Sequence, residues 1–242
     1  MKKDIFFAYI CLLLFQVSYE IPDSFDWREH INFGKSIRDQ GACGSNWAFE
    51  TMEMLEALYA KGKGVYIKLS VQMLIDCDNL DNGCNGGTIE NALTWIKANG
   101  IMREEDYPYR GVRGICKMDP SKFIDMKVTG YKKLGSITAP ANENEMAQLL
   151  YEEGPYTIGM NSVGLYAYAS GILDLSSTKC PPDNINHFPL LVGYGTTGKL
   201  DYWIVKNSWG SSWGEKGYFR IARGKGVCGI NRYPVCALVE FE

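Results

Sequence analysis

Residues 40–49 read QGACGSNWAF, and this stretch joins a glycine-containing loop to the start of a predicted helix. Ser45 and Asn46 are residue types that favour a helix N-terminus, so the helix is predicted to begin there. Apolar residues then recur at helical spacing, at Met52, Leu55 and Leu58. This spacing predicts that one face of the helix packs into the core.

Two later segments carry side chains that serve chemistry rather than packing. The first reads NHF around His187 and leads into VGYG, and the second reads KNSWG around Asn207. His187 follows Asn46 by 141 residues, so the fold must bring these groups together before they can act on one another.

The three segments together resemble the active-site segments of the papain and cathepsin L family of cysteine peptidases, including the spacing between the nucleophile position and the histidine. The resemblance covers Ile21 to the C-terminus. It implies an α+β fold of two lobes, a helical N-terminal lobe and a β-barrel-like C-terminal lobe, with the active-site cleft between them. Further matches follow one another along the chain: Ile21-Pro22, Asp26-Trp27-Arg28, Leu69-Ser70, Asp76-Cys77, Cys84-Asn85-Gly86-Gly87 and Asp106-Tyr107-Pro108-Tyr109.

The resemblance assigns roles to the catalytic positions. In the family, a cysteine at a helix N-terminus ionises beside an imidazolium and attacks the peptide carbonyl. By resemblance, His187 is the base and then the acid, and Asn207 fixes the orientation of its ring. Gln40 and the backbone N–H at position 46 would donate to the oxyanion. Trp209 would shield the His187–Asn207 contact from water.

The departure from the family falls on the nucleophile. Asn46 stands where the family has its cysteine, and a neutral carboxamide neither ionises nor attacks a carbonyl at useful rates. Loss of the nucleophile of a protease triad lowers turnover by about 10⁶-fold. Ser45 precedes the position and is expected to point elsewhere. The alternative interpretation is that Asn46 is simply a favourable helix N-cap.

The cleft walls are also assigned by resemblance. Phe188 stands where the family usually has a small residue, and Pro189 removes a backbone donor from a predicted strand. The segment after Ile230 is shorter than its counterpart, so we expect a crowded or reshaped specificity pocket. The predicted substrate-binding residues are Gly86, Gly87, Thr88, Ile89, Asn186, Phe188 and Trp209.

The cysteines indicate an oxidising compartment. Cys11 lies in the predicted leader, so seven of the eight cysteines fall in the remaining chain. The resemblance implies three disulfides, Cys43–Cys84, Cys77–Cys116 and Cys180–Cys228. Cys236 is then left as a buried free thiol.

Residues 1–19 have the layout of a secretory signal peptide, because Lys2 and Lys3 precede an apolar run that is too short to cross a bilayer. Ile21-Pro22 resembles the mature start of the family and follows directly, so we expect no pro-segment between them. The formal net charge is -3 for the whole chain and -4 without the leader, with 23 basic and 27 acidic residues remaining. This balance does not indicate a nucleic-acid partner.

The remaining chain, residues 20–242, is predicted to form one peptidase-like domain. Helices are predicted near 45, 70 and 88, and a helical lobe spans about 29–130. Short strands are predicted at 156–160, 188–194, 201–205 and 218–222, within a β lobe of about 131–229. The C-terminal segment returns to the cleft.

We predict a secreted papain-like homologue that is catalytically inactive and retains a peptide-binding cleft. An active cysteine endopeptidase and a purely structural or storage protein are the alternatives, and the retention of Gln40, His187 and Asn207 disfavours the last. The expected partner is a peptide, a protein or a protease inhibitor held in the cleft. We expect a monomer without cofactor, metal, nucleic-acid or membrane partners, located outside the cell or in a lysosome or vacuole.

Overall fold

The computed structural model describes residues 20–33 and 37–241. The predicted leader, residues 1–19, lies outside the described residues. Helices dominate the first half of the described chain, and a mixed sheet dominates the second half. The predicted α+β class is therefore confirmed.

Three helices of the first half begin where the sequence predicts. Helix α1 spans Asn46–Lys63, α2 spans Val71–Cys77 and α3 spans Ile89–Asn99. Ser70 and Thr88 cap α2 and α3, because each side chain accepts a hydrogen bond from a backbone N–H of the first turn.

Helix α1 is the buried centre of the fold. Every residue from 47 to 59 is buried, and the helix contacts α2, α3 and several strands of the sheet. A helix buried on all sides is normally apolar all round. Glu53, however, forms a buried ion pair with Lys206, and Glu56 forms one with Arg38. A third buried glutamate, Glu50, lies one turn from the helix N-terminus.

Eight described strands form one sheet. They are β1 (Phe25–Asp26), β2 (Met126–Lys133), β3 (Tyr156–Thr157), β4 (Ile172–Leu173), β5 (Leu190–Thr196), β6 (Asp201–Lys206), β7 (Tyr218–Ala222) and β8 (Val235–Phe241). The order is β2-β8-β3-β5-β6-β7-β4, with β1 paired to β5 outside this path. Strands β5 and β6 therefore occupy the middle of the sheet, where both faces are covered.

Four elements of the second half were not predicted from the sequence, and the two-residue strand β4 is the shortest of them. Helix α4 spans Glu143–Glu153, and the strands β2 and β8 pair with each other over their whole lengths. Strand β2 crosses the predicted lobe boundary near residue 130. Its partner, β8, comes from the end of the chain. A strand defined by so distant a partner has little local signal.

Proline shifts the start of β5. The strand begins at Leu190 rather than at the predicted Phe188, since Pro189 has no N–H to donate to a neighbouring strand. The Pro189 carbonyl still accepts a hydrogen bond from the Ile158 backbone N–H at 3.0 Å. Pro189 thus ends the loop that carries His187.

The three disulfides predicted by resemblance are confirmed: Cys43–Cys84, Cys77–Cys116 and Cys180–Cys228. Cys236 is a buried free thiol, as predicted. In the described part of the chain, no helix is both long enough and apolar enough to span a bilayer.

Candidate active site

The candidate site lies where the N-terminus of α1 meets the central strands of the sheet. Leu190 of β5 pairs with Lys206 of β6, and this register places His187, before β5, beside Asn207, after β6. His187 Nε2 lies 2.8 Å from Asn207 Oδ1. His187 Nδ1 lies 2.8 Å from Asn46 Nδ2. Three of the predicted site residues therefore form one hydrogen-bonded chain.

The two asparagines determine the protonation state of His187. Asn207 Oδ1 accepts only, so Nε2 of His187 carries a hydrogen. Asn46 Nδ2 donates only, so Nδ1 of His187 is the acceptor and the ring is neutral. The other end of the Asn46 carboxamide is occupied, because its Oδ1 accepts from the Trp47 backbone N–H at 2.8 Å.

Burial favours the same neutral state. His187 is only 3% exposed. Burial lowers the pKa of His187 from its usual range to about 4, although the hydrogen bond with Asn207 acts in the opposite direction. The ring is therefore an uncharged acceptor near neutral pH.

The N-cap interpretation of Asn46 is wrong for this structure. Ser45 is the N-cap residue of α1, and its side chain makes no capping hydrogen bond. Asn46 is the first helical residue, and its carbonyl oxygen accepts from the adjacent N–H rather than from one two or three residues ahead. The Asn46 amide group instead points at His187.

Gln40 is anchored beside the same centre. Its backbone N–H donates to the Ser208 carbonyl at 3.0 Å, and its Oε1 accepts from the Ser208 hydroxyl at 3.1 Å. The Gln40 Nε2 donates to the Cys43 carbonyl at 2.9 Å, which uses one of its two hydrogens. No hydrogen bond from the second hydrogen is found among the described residues.

Trp209 covers the imidazole. Its ring centroid lies 5.0 Å from that of His187, and the Trp209 ring also stacks with Tyr166, with centroids 5.8 Å apart and an interplanar angle of 11°. Tyr166 is 73% exposed and was not predicted, since no motif surrounds it. An exposed aromatic platform therefore flanks His187.

The comparisons with known proteins agree with this geometry. The profile described as papain family cysteine protease matches residues 21–238. The chain belongs to the papain family. It is 42% identical over 213 residues to a viral cathepsin of Adoxophyes honmai nucleopolyhedrovirus, covering 88% of this chain and 60% of that protein.

Further relatives of this papain-family chain include a cathepsin L-like proteinase of Fasciola hepatica, 42% identical over 214 residues, covering 87% of this chain and 63% of that protein. Digestive procathepsin L2 of the Tenebrio molitor larval midgut superposes with a TM-score of 0.83 at 34% identity, covering 91% of this chain and 69% of that one. The chain thus spans about 60% of the length of the curated relatives it matches.

In this papain-family chain, one cleft wall is built on glycine. Gly86 has φ +103°, a conformation that favours glycine, and nothing lies within 4 Å of a Cβ added there. At Gly87 an added Cβ would lie 2.6 Å from the Trp47 ring and 2.7 Å from Asp81 Cγ. Gly86 is therefore open to a ligand, whereas Gly87 serves packing.

Two buried carboxyl groups support this wall from behind. Asp81 accepts from the Thr88 backbone N–H at 3.0 Å, and its neighbour Asp78 accepts from the Leu80 N–H at 2.7 Å. Burial and the charge of Asp81 raise the pKa of Asp78 to about 7. Thr88 itself is occupied as the cap of α3.

The other predicted wall residues differ in how far their side chains are exposed. Ile89 is fully buried, so its side chain offers no surface to a ligand, and the prediction that it binds substrate is wrong in this respect. Asn186 is exposed, and its side chain accepts from the Ser162 backbone N–H at 2.9 Å. Phe188 is half-buried and packs on Tyr233, with ring centroids 5.4 Å apart.

Neighbouring groups do not offer a substitute nucleophile. Ser45 is fully buried, and its hydroxyl lies 3.3 Å from that of Tyr109. Cys43 is held in a disulfide. Among the described residues Cys236 is the free thiol, and burial raises its pKa to about 12.

A buried acid behind the site was missed by sequence reasoning. Glu50 follows Asn46 by one helical turn on the same face of α1, and its carboxyl group makes no hydrogen bond of proper geometry with the described residues. Burial, together with the charge of Glu53, raises the pKa of Glu50 well above its usual range. A glutamate among apolar residues at core spacing is the signal that could have revealed it.

Proposed function

We propose that this chain is a non-catalytic member of the papain family that holds a peptide segment in its cleft, with Asn46 in the position of the catalytic cysteine. The observation that carries the proposal is the 2.8 Å contact between Asn46 Nδ2 and His187 Nδ1. A group at the helix N-terminus still meets the histidine, but that group is a carboxamide.

The chemistry of this contact opposes peptide hydrolysis. A nucleophile must pass its proton to the histidine, whereas the Asn46 amide retains its hydrogens and offers no attacking lone pair. Its hydrogens also occupy the His187 nitrogen that would activate a water molecule on that side. The remaining Gln40 hydrogen and the α1 N-terminus are left to bind a peptide carbonyl.

The retained polar groups favour binding over a structural role. His187, Asn207 and Gln40 keep hydrogen-bonded positions around an open Gly86 wall, which a durable scaffold alone would not need. The expected occupant is a peptide, a protein segment or a protease inhibitor, bound by a monomer. Three disulfides support export to the cell exterior or to a lysosome or vacuole.

The test is a turnover and labelling assay of the purified protein. Dipeptidyl fluorogenic substrates should show no hydrolysis above buffer, and a cysteine-directed epoxide should leave the chain unlabelled. His187→Ala is the matched control, because turnover that survives this change comes from a contaminant. Turnover that this change abolishes would identify an active peptidase and overturn the proposal.

A further inference from the structure

We propose that Tyr233 is a specificity-determining residue that fills the cleft beside His187, so that only a peptide with a small side chain is accepted there. The inference rests on the proposed function, because it concerns the same peptide-binding cleft. The residues that carry it are Tyr233 in the C-terminal segment, Glu90 in α3 and Lys133 in β2.

Backbone contacts place Tyr233 close to the candidate site. Its carbonyl accepts from the Gly159 backbone N–H at 2.9 Å, and the neighbouring Met160 forms a bridge with His187. The Tyr233 ring then packs on Phe188, the residue after the histidine. The ring therefore stands next to the position where a ligand would meet His187.

The absence of a side chain at Gly159 makes room for this tyrosine. A Cβ added to Gly159 would lie 2.6 Å from Tyr233 Cβ and 2.8 Å from Ile185 Cγ2. Real Cβ atoms do not approach so closely, so a larger residue at 159 would displace the tyrosine. Tyr233 is thus closely packed on the β-sheet side.

The opposite wall of the cleft holds the tip of the same ring. The Tyr233 hydroxyl donates to Glu90 Oε2 at 2.5 Å, and Glu90 Oε1 pairs with Lys133 Nζ at 2.9 Å. Lys133 Nζ also lies 3.6 Å from the centre of the Tyr233 ring. Burial and the Glu90 charge raise the pKa of Tyr233, so its hydroxyl remains a donor.

This arrangement joins the two walls across the cleft. Glu90 lies in the first turn of α3, directly after the Gly86–Ile89 segment, whereas Tyr233 and Phe188 belong to the sheet side. A charge-assisted hydrogen bond and a cation above the ring hold the side chain in one orientation. A bulky apolar side chain of a ligand would meet the ring, whereas the methyl group of alanine would not.

The test uses an Asn46→Cys background, in which an introduced thiol reports which peptides enter the cleft. The thiolate displaces chloride from acetyl-alanyl-lysyl or acetyl-leucyl-lysyl chloromethyl ketone, and the second-order alkylation rate is measured for each reagent. We expect the alanyl reagent to react at least about tenfold faster, because one misfitting side chain is worth roughly 10- to 200-fold. Tyr233→Ala should raise the leucyl rate by about tenfold or more and leave the alanyl rate nearly unchanged.

Two controls separate this inference from a loss of structure. Tyr233→Phe keeps the ring and should retain the preference for alanine, and iodoacetamide should react equally with the thiol in every variant. Where Tyr233→Ala does not fold, Tyr233→Val opens a smaller space and should give a smaller gain for leucine.

The outcomes decide between the inference and the proposed function. Equal leucyl and alanyl rates before and after removal of the ring would overturn the inference while leaving peptide binding intact. Peptidyl reagents that never react faster than iodoacetamide would show that the cleft does not bind peptides. That result would overturn the proposed function and the inference with it.

Discussion

Two neighbouring regions of α1 contact the sheet through polar side chains. One region holds neutral groups, and the other holds an ion pair. At the helix N-terminus, Asn46, His187 and Asn207 are joined by hydrogen bonds between neutral groups. Two turns further along the same face, Glu53 and Lys206 form an ion pair in which each side chain is 1% exposed. Lys206 is the last residue of β6 and Asn207 follows it, so the end of this strand contributes one residue to each region.

The difference shows which charges a cysteine nucleophile at position 46 would add to the site. A cysteine thiolate and an imidazolium would make the first region an ion pair like the second, whereas a carboxamide makes it uncharged. Glu50 lies between the two regions along α1, and the charges of Glu53 and Lys206 act on its pKa in opposite directions. Single substitutions in each region, and at Glu50 itself, test the comparison one side chain at a time.

The largest effect is expected from Lys206→Met, which removes the cation of the charged region. Glu53 then keeps a buried charge whose remaining ion-pair contact among the described residues is the longer one with Arg38, at 3.9 Å between Nε and Oε1. Breaking a buried pair from one side costs about 3–5 kcal/mol of unfolding free energy. Chemical denaturation measures the loss. The matched double variant Glu53→Met with Lys206→Met should recover most of it, and a double variant as unstable as the single one would contradict this account.

A smaller effect of opposite sign is expected from Glu50→Gln. Because the folded state raises the pKa of Glu50, its stabilising contribution is complete at low pH and is lost as pH rises through the folded pKa. Glutamine cannot ionise, so the variant should gain stability relative to the original chain as pH rises from about 4.5 towards neutrality, on the order of 1 kcal/mol. Melting temperatures across this pH range provide the measurement, and parallel curves for the two proteins would show that Glu50 is not held protonated.

For the uncharged region we expect no change in the free energy of unfolding near neutral pH. The protonation state of His187 is therefore followed by NMR. The chain has two histidines, so His30→Gln assigns the imidazole signals of His187 in an NMR titration. The lowered pKa means that His187 stabilises the fold fully above its unfolded value near 6.5, and that this contribution is lost as pH falls through about 4. A neutral ring protonated on Nε2 is expected at pH 6, and a ring that titrates near 6.5 would show that Asn46 and burial do not hold it neutral.

Much of the fold was predictable because its signals are local or come from motifs. The starts of α1, α2 and α3 follow from residues that favour helix N-termini, and the three disulfides follow from the family resemblance. Strands β2 and β8 were not predicted, because each is defined by pairing with a strand more than a hundred residues away. Helix α4 was missed because its surface-facing residues weaken the apolar pattern.

The candidate site was only partly predictable for a similar reason. Motifs identified Gln40, His187 and Asn207, which the structure brings together with Asn46. The burial of Ile89, the stacking of Tyr166 on Trp209 and the packing of Tyr233 against Phe188 depend on contacts between distant segments. Such contacts leave no mark in the neighbouring sequence.

The central claim is that the catalytic pairing survives and only the nucleophile is missing, and the pKa of a thiol introduced by Asn46→Cys tests it most directly. The rate of iodoacetamide alkylation is measured against pH, with Asn46→Cys combined with His187→Ala as the control and the original chain as the blank for Cys236. Beside His187 and the α1 N-terminus, the introduced thiol should titrate between about 3.5 and 7.5, and the control should move towards the free value of about 8.5. An introduced thiol that titrates near 8.5 with His187 in place would contradict the claim.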